Sequence, residues 1–572
     1  MEKTSNIRIR WIAIILVCMA ALTACRKTTL VESTTDAVNM TNYFKTRPET
    51  FSELSKVLKL SETASFLNAY GSYTFFAPTN DAIKEYLQEK GKTKVEDVPA
   101  ADWKDFIRFH LLEDSIPTSR FTDGKLPNLT MYGQYLVTSA VNTNGVTVLR
   151  VNRQADIIQA NISVGNGIIH VINHPLKPAT KTLAQLVEAN PDYSIFTQAL
   201  KATGLYNALN YLPANNPDTT QKWLTFIAET DASLKAAGFA DFNALKAKYS
   251  KTGDPTLATD SLNLFLKYHM LYDAKYQADI IGATAHTTLA PLEVLTAKLD
   301  GQTVLMNDDI FNNVHEVGFS LVRDKSDQTA SNGVLHEASA HFGIKVRYPY
   351  PVYFDVCDLP EIRKMTSVYK KTNYAFSRAE ITDMAQSIRF NSLPSEKSLQ
   401  YLYGSAQASS KTSYNSDVLQ TPIGTSSRPV WVEFHTPLLV RGKYKVWCGY
   451  YVQAASSGVS EAQAFIRNET DEDVTPLSNS RILSFTVKRP GQAPDVEEAI
   501  GWKIYMESTS GSQSARLLGI VDIPQTGRYW LRLQAVNGSQ NTNNIDMLQF
   551  IPSTMDQQYP KFKPDGTLIP RP

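Results

Sequence analysis

The chain has 572 residues, 43% of them hydrophobic and 20% charged, and 57 basic side chains balance 56 acidic ones to a net charge of +1. Such a composition belongs to ordinary globular proteins, and the length implies about three cores rather than one. A charge this even offers no broad basic surface for phosphates, so no nucleic-acid partner is expected.

The N-terminus reads as a leader. Lys3, Arg8 and Arg10 precede an apolar run from Trp11 to Ala21, which is shorter than the ~20 residues a membrane-spanning helix needs. Leu22-Thr23-Ala24-Cys25 then supplies small residues ending in a cysteine. This resembles the bacterial lipobox, in which the cysteine is acylated and becomes the mature N-terminus. The resemblance implies a signal peptide over 1–25, lipid attachment at Cys25 and a polar tether over 26–37. The expected location is the outer membrane, on its periplasmic or cell-surface side, held by lipid without a spanning helix. Cys18 leaves with the leader, so Cys357 and Cys448 remain. In an oxidising compartment they could pair, or stay as buried thiols in apolar strands, and both readings stand.

Two faded repeats follow. In the first, Phe51, Leu54, Val57 and Leu58 recur at helical spacing, and Tyr73 to Ala77 is an apolar strand ended by Pro78. Thr79 or Asn80 is placed to cap the next helix. Trp103, Phe106, Ile107, His110 and Leu111 form another helical stripe. Asn166-Gly167 suits a type I′ turn leading into the apolar strand Ile168 to Ile172. The second repeat keeps this order: a helix with Phe196, Ala199 and Leu200, a strand from Leu224 to Ala228 with Glu229 in place of the proline, the pair Tyr268-His269, and Asn332-Gly333-Val334-Leu335-His336.

The order of motifs resembles the fasciclin domain. Thr74 to Ala82 and Asn166 to Leu176 are similar to its two signatures, and Phe109-His110 to its central aromatic-His pair. The resemblance implies a fasciclin-like domain over 38–178 and a divergent second one over 182–343, each an α/β (α+β) domain serving adhesion or matrix binding. Because the aromatic-His region contacts receptors in animal relatives, Tyr268 and His269 become candidate ligand contacts. The plainer reading of both pairs is core packing around a hydrogen-bonded imidazole.

From 344 to 572 the pattern changes to period-two alternation. Tyr444, Val446, Cys448, Tyr450 and Val452 share one face, as do Tyr529, Leu531, Leu533 and Ala535. Turn-rich clusters separate further apolar runs, so this region is expected to be an all-β sandwich, with a charged helical insert near 360–389. The strand openings Gly442-Lys443-Tyr444 and Gly527-Arg528-Tyr529 are similar to those of galactose-binding jelly rolls. That resemblance implies sugar stacking on an aromatic platform, for which Trp431, Trp447, Tyr451, Trp502 and Trp530 are available. Trp447 and Trp530 lie out of phase with the apolar faces and are the candidate contacts.

Catalytic motifs are missing. In His336-Glu337-Ala338-Ser339-Ala340-His341 the position four after His336 is Ala340, not the second histidine of a zinc-protease helix. His170 and His174 are four apart but on a strand-like run ended by Pro175. No nucleophile elbow, phosphate loop or dinucleotide fingerprint occurs, and Glu469 to Asp473 lacks the glycine of a calcium hand. The sequence therefore nominates no catalytic residue, no metal ligand and no cofactor. It points to an adhesion or interaction lipoprotein binding protein or matrix ligands. The alternative is a glycan-binding accessory to polysaccharide uptake.

Overall fold

The computed structural model describes residues 38–572 except 66, 68–70, 144–145, 312–313, 405–407, 455–459, 470 and 508–511. Cys25, the leader and the tether lie outside the described residues. Two compact units are present: residues 38–177 without 122–125, and residues 178–572 with them. No described helix is long and apolar enough to cross a membrane.

The first unit is built on a seven-stranded sheet that holds, second and third from one edge, a parallel pair, Tyr73–Pro78 beside Gly167–Ile172. The six residues of Tyr73–Pro78 are all buried, and alternation sends neighbours to opposite sides. Phe75 packs with Leu54, Val57, Trp103 and Ile107, whereas Phe76 packs with Phe109, Leu112, Leu136 and Ile172. The helix Asn80–Glu89 starts as expected, with Thr79 Oγ1 accepting the Ala82 N–H at 3.3 Å.

The Asn-Gly motif works differently from a type I′ turn. The hairpin closes between Val164 and Gly167, so Asn166 ends the turn instead of starting it. The Asn166 side chain accepts the N–H of Met40 and donates to the Leu67 carbonyl, tying the entry helix to the sheet. Gly167 has φ +142, and a Cβ there would lie 2.0 Å from the Tyr73 carbonyl oxygen. The glycine is needed for close approach of the parallel strands.

In the second unit the same arrangement recurs. Leu224–Glu229 runs parallel to Gly333–Ala338, with Phe226 facing one core and Ile227 the other. Thr230 caps the following helix, Asn332 bonds Leu183 and Leu209, and a Cβ on Gly333 would meet the Leu224 carbonyl at 1.9 Å.

The rest of the second unit is an all-β sandwich. Its central strand, Tyr529–Pro552, serves both layers. Its first half lies between Trp431–His435 and Ser460–Asn468, its second half against Asp417–Gly424, Gly442–Tyr451 and Val352–Asp355. Val432, Phe434, Leu531 and Leu533 from one layer meet Tyr444, Val446, Cys448 and Tyr450 from the other in a shared core. The stretch 360–389 holds only two short helices, Pro360–Lys364 and Arg378–Asp383, among turns. Cys357 and Cys448 are free thiols buried in this core, so the pairing reading is set aside.

Candidate ligand-binding cleft

The residues nominated as contacts are interior ones. Tyr268 is 1% exposed and bonded through its hydroxyl to Val294 and Asn307. His269 is fully buried. Its Nδ1 lies 2.8 Å from the Phe265 carbonyl and its Nε2 2.8 Å from Glu229 Oε1. In the first repeat His110 holds the matching place, but there Nε2 accepts the Leu176 N–H at 3.0 Å. Glu229, which stands where the first repeat has Pro78, has thus replaced a backbone donor by a carboxylate. It binds His341 Nδ1 as well, at 2.8 Å. Burial raises the Glu229 carboxyl, and the bonds from His269 and His341 outweigh it, holding the group below the ordinary carboxylate range.

Trp447 and Trp530 are also buried, at 0% and 2% exposure. Both do lie on the outer faces of their layers, as the alternation says. Those faces are covered. Trp447 packs with Tyr505, Met547 and Phe562 and donates from Nε1 to Gln557 Oε1 at 2.9 Å, so the C-terminal segment lies over it. On Trp530 the His435 ring stacks at 4.5 Å and the Arg389 guanidinium at 4.1 Å.

Some of these covering groups border an open cleft on the sandwich. On Trp431–His435 the core takes Val432 and Phe434, which leaves Trp431, Glu433 and His435 on the outer face. Arg532 comes from the neighbouring strand and Arg467 from the one beyond. Glu433 is fully buried and holds both: Arg467 donates to it at 3.0 and 2.7 Å, and Arg532 at 3.0 Å. Burial raises the Glu433 carboxyl, but the two guanidiniums outweigh it and keep it ionised. Arg532 also lies 4.1 Å over the ring of Trp431, which is half-buried. With Glu469, Asp471 and Glu472 these groups line a cleft of about 350 Å³. Glu469 lies 3.0 Å from His435 Nε2 and accepts the Thr284 hydroxyl of the second α/β domain at 3.1 Å.

The cleft presents paired, rigid charges beside an indole. Planar guanidiniums and carboxylates whose positions are set by each other can bond hydroxyl groups without reorganising. Trp431 was among the available platforms in the sequence. Arg389, Glu433, Arg467 and Arg532 were not nominated, although outward charged residues on apolar strands were a signal.

Residues 49–178 and 191–339 match the family model described as the fasciclin domain. The chain carries two fasciclin domains. Protein sll1483 of Synechocystis is 28% identical over 171 residues, which is 28% of this chain and 87% of that protein. The rabbit transforming growth factor-beta-induced protein ig-h3 is 22% identical over 46% of the chain, and human periostin 24% over 46%. The chain spans only 34% and 28% of those two relatives. Among solved structures, the FAS1 domain pair of the insect cell adhesion molecule fasciclin I is 16% identical. It covers 50% of this chain and 96% of its own, with a TM-score of 0.22. The fasciclin segments contain the parallel strand pairs and both Asn-Gly motifs, and the cleft lies C-terminal to them.

Proposed function

We propose that the protein is a lipid-anchored interaction protein of the cell envelope, held through Cys25, that works by binding and not by catalysis. The observation that carries this reading is the tandem of fasciclin domains, a domain type found in adhesion proteins. The anchor rests on the motif Leu22 to Cys25 and the apolar run before it. The cleft suits binding by fixed charges, since Glu433 and Glu469 are both held below the ordinary range, with arginine or histidine partners outweighing burial.

A second reading, glycan capture for polysaccharide uptake, is favoured by Trp431 and its ring of fixed charges. The galactose-binding resemblance of the strand openings agrees with it. Both readings are tested by immobilising the whole chain on beads and offering matrix proteins and a polysaccharide panel. Retention of a matrix protein supports the first, and saturable retention of a polysaccharide the second. Retention of neither contradicts the binding role.

A further inference from the structure

We propose that Asp355, Cys357 and Asp417 form a site for a divalent metal ion of the zinc type, enclosed within the sandwich. Asp355 ends the strand Val352–Asp355, Cys357 follows two residues on, and Asp417 opens the strand Asp417–Gly424. One oxygen of each carboxylate and the Cys357 sulfur all lie within 4.8 Å of one another, and all three side chains are buried.

The hydrogen bonds around the trio leave one acceptor oxygen over. Asp355 accepts from the Cys357 N–H at 2.9 Å and from Asn415 at 2.8 Å. Asp417 Oδ2 accepts the Tyr401 hydroxyl at 3.0 Å, and the Lys370 N–H bonds that hydroxyl in turn. Asp417 Oδ1 is buried with no hydrogen-bond partner. Asp546 stands behind the trio, fully buried, with Tyr505 and Tyr414 on its Oδ2. Among the described residues no lysine, arginine or histidine makes an ion pair with Asp355, Asp417 or Asp546.

Lys370 acts on Asp355 and Asp417 only from a distance, without an ion pair, so three carboxyls in one interior are costly as anions. A divalent ion reverses that by supplying the missing charge. Two oxygens and a sulfur are donors that zinc accepts, with water in the fourth position of its tetrahedron, while calcium takes six or more oxygens. On binding, the Cys357 S–H bond breaks, its proton leaves to solvent, and a metal–sulfur bond forms. Sequence spacing hides this site because Asp417 is brought to Asp355 and Cys357 only by the sandwich.

The test is cobalt titration of the whole chain after chelator treatment under reducing conditions. The expected result is one cobalt per chain with sulfur-to-cobalt charge-transfer absorption, displaced by zinc, and a melting temperature raised by zinc. Cys357→Ser should abolish the absorption, and Asp417→Asn should weaken uptake at least tenfold with an unchanged near-ultraviolet dichroism spectrum. No cobalt uptake by the wild-type chain means that the carboxyls are held as neutral acids, and overturns the proposal. Uptake without the charge-transfer band, or calcium bound in preference to zinc, overturns it too. These wild-type results decide the matter even if a variant fails to fold.

Discussion

Phe76 and Gly167 set two limits on what the first fasciclin domain tolerates. Phe76 is fully buried between Phe109, Leu112 and Ile172, so Phe76→Ala should cost about 3–5 kcal/mol by urea unfolding of residues 38–178. A loss below about 1 kcal/mol would mean that this side of the sheet is not a core. Gly167→Ala acts through the backbone. The added methyl would sit 2.0 Å from the Tyr73 carbonyl at φ +142, so the parallel pair must part. A cost of at least about 3 kcal/mol is expected in the same measurement. Sequence showed that Asn166-Gly167 mattered, but a dipeptide does not reveal whether its glycine serves a turn or a close neighbour. That distinction depends on Tyr73, ninety-four positions away. The candidate contacts were misjudged for a related reason: period two says which residues share a face, not what lies on top of it. Gln557 and Phe562 cover Trp447, and Arg389 and His435 cover Trp530, all from remote segments.

At the scale of elements, the turn from the helix Ala100–Phe109 into the strand Leu111–Leu112 passes through His110. Its Nδ1 faces the Phe106 carbonyl at 2.8 Å, so that nitrogen carries the proton and Nε2 must accept from Leu176. Burial lowers its pKa to about 4. The unfolded chain, with a histidine near 6.5, therefore holds more protons than the native one between these values. The stability contributed is complete above pH 6.5 and is lost as pH falls to about 4, amounting to about 3 kcal/mol. Urea midpoints of residues 38–178 should fall over that window, and His110→Gln should flatten the fall. An unchanged slope in the variant would place the acid sensitivity elsewhere. Elements of this kind were legible because helix stripes and buried strands follow simple periods. The 360–389 stretch was read as more helical than it is, since charged composition alone does not distinguish helices from turns.

On the scale of the whole molecule, two fasciclin domains followed by a sandwich were legible from motif order and from the change of period after residue 344. The cleft was not, because Arg389, Glu433, Arg467 and Arg532 come from four strands that only the fold brings side by side. The anchor gives a direct expectation: Cys25→Ser should release the protein from the membrane fraction and end its labelling by palmitate. Persistence of both would contradict the lipoprotein reading. The cleft's part in binding is tested most directly by isothermal titration of the intact chain with the polysaccharide that the beads retain, comparing wild type with Trp431→Ala and Arg389→Ala. Both side chains line the cleft and neither belongs to the shared core. The account predicts at least tenfold weaker binding for each variant, with melting temperatures within about 2 °C of wild type, as expected for side chains outside the core. Undiminished binding by both variants would contradict it.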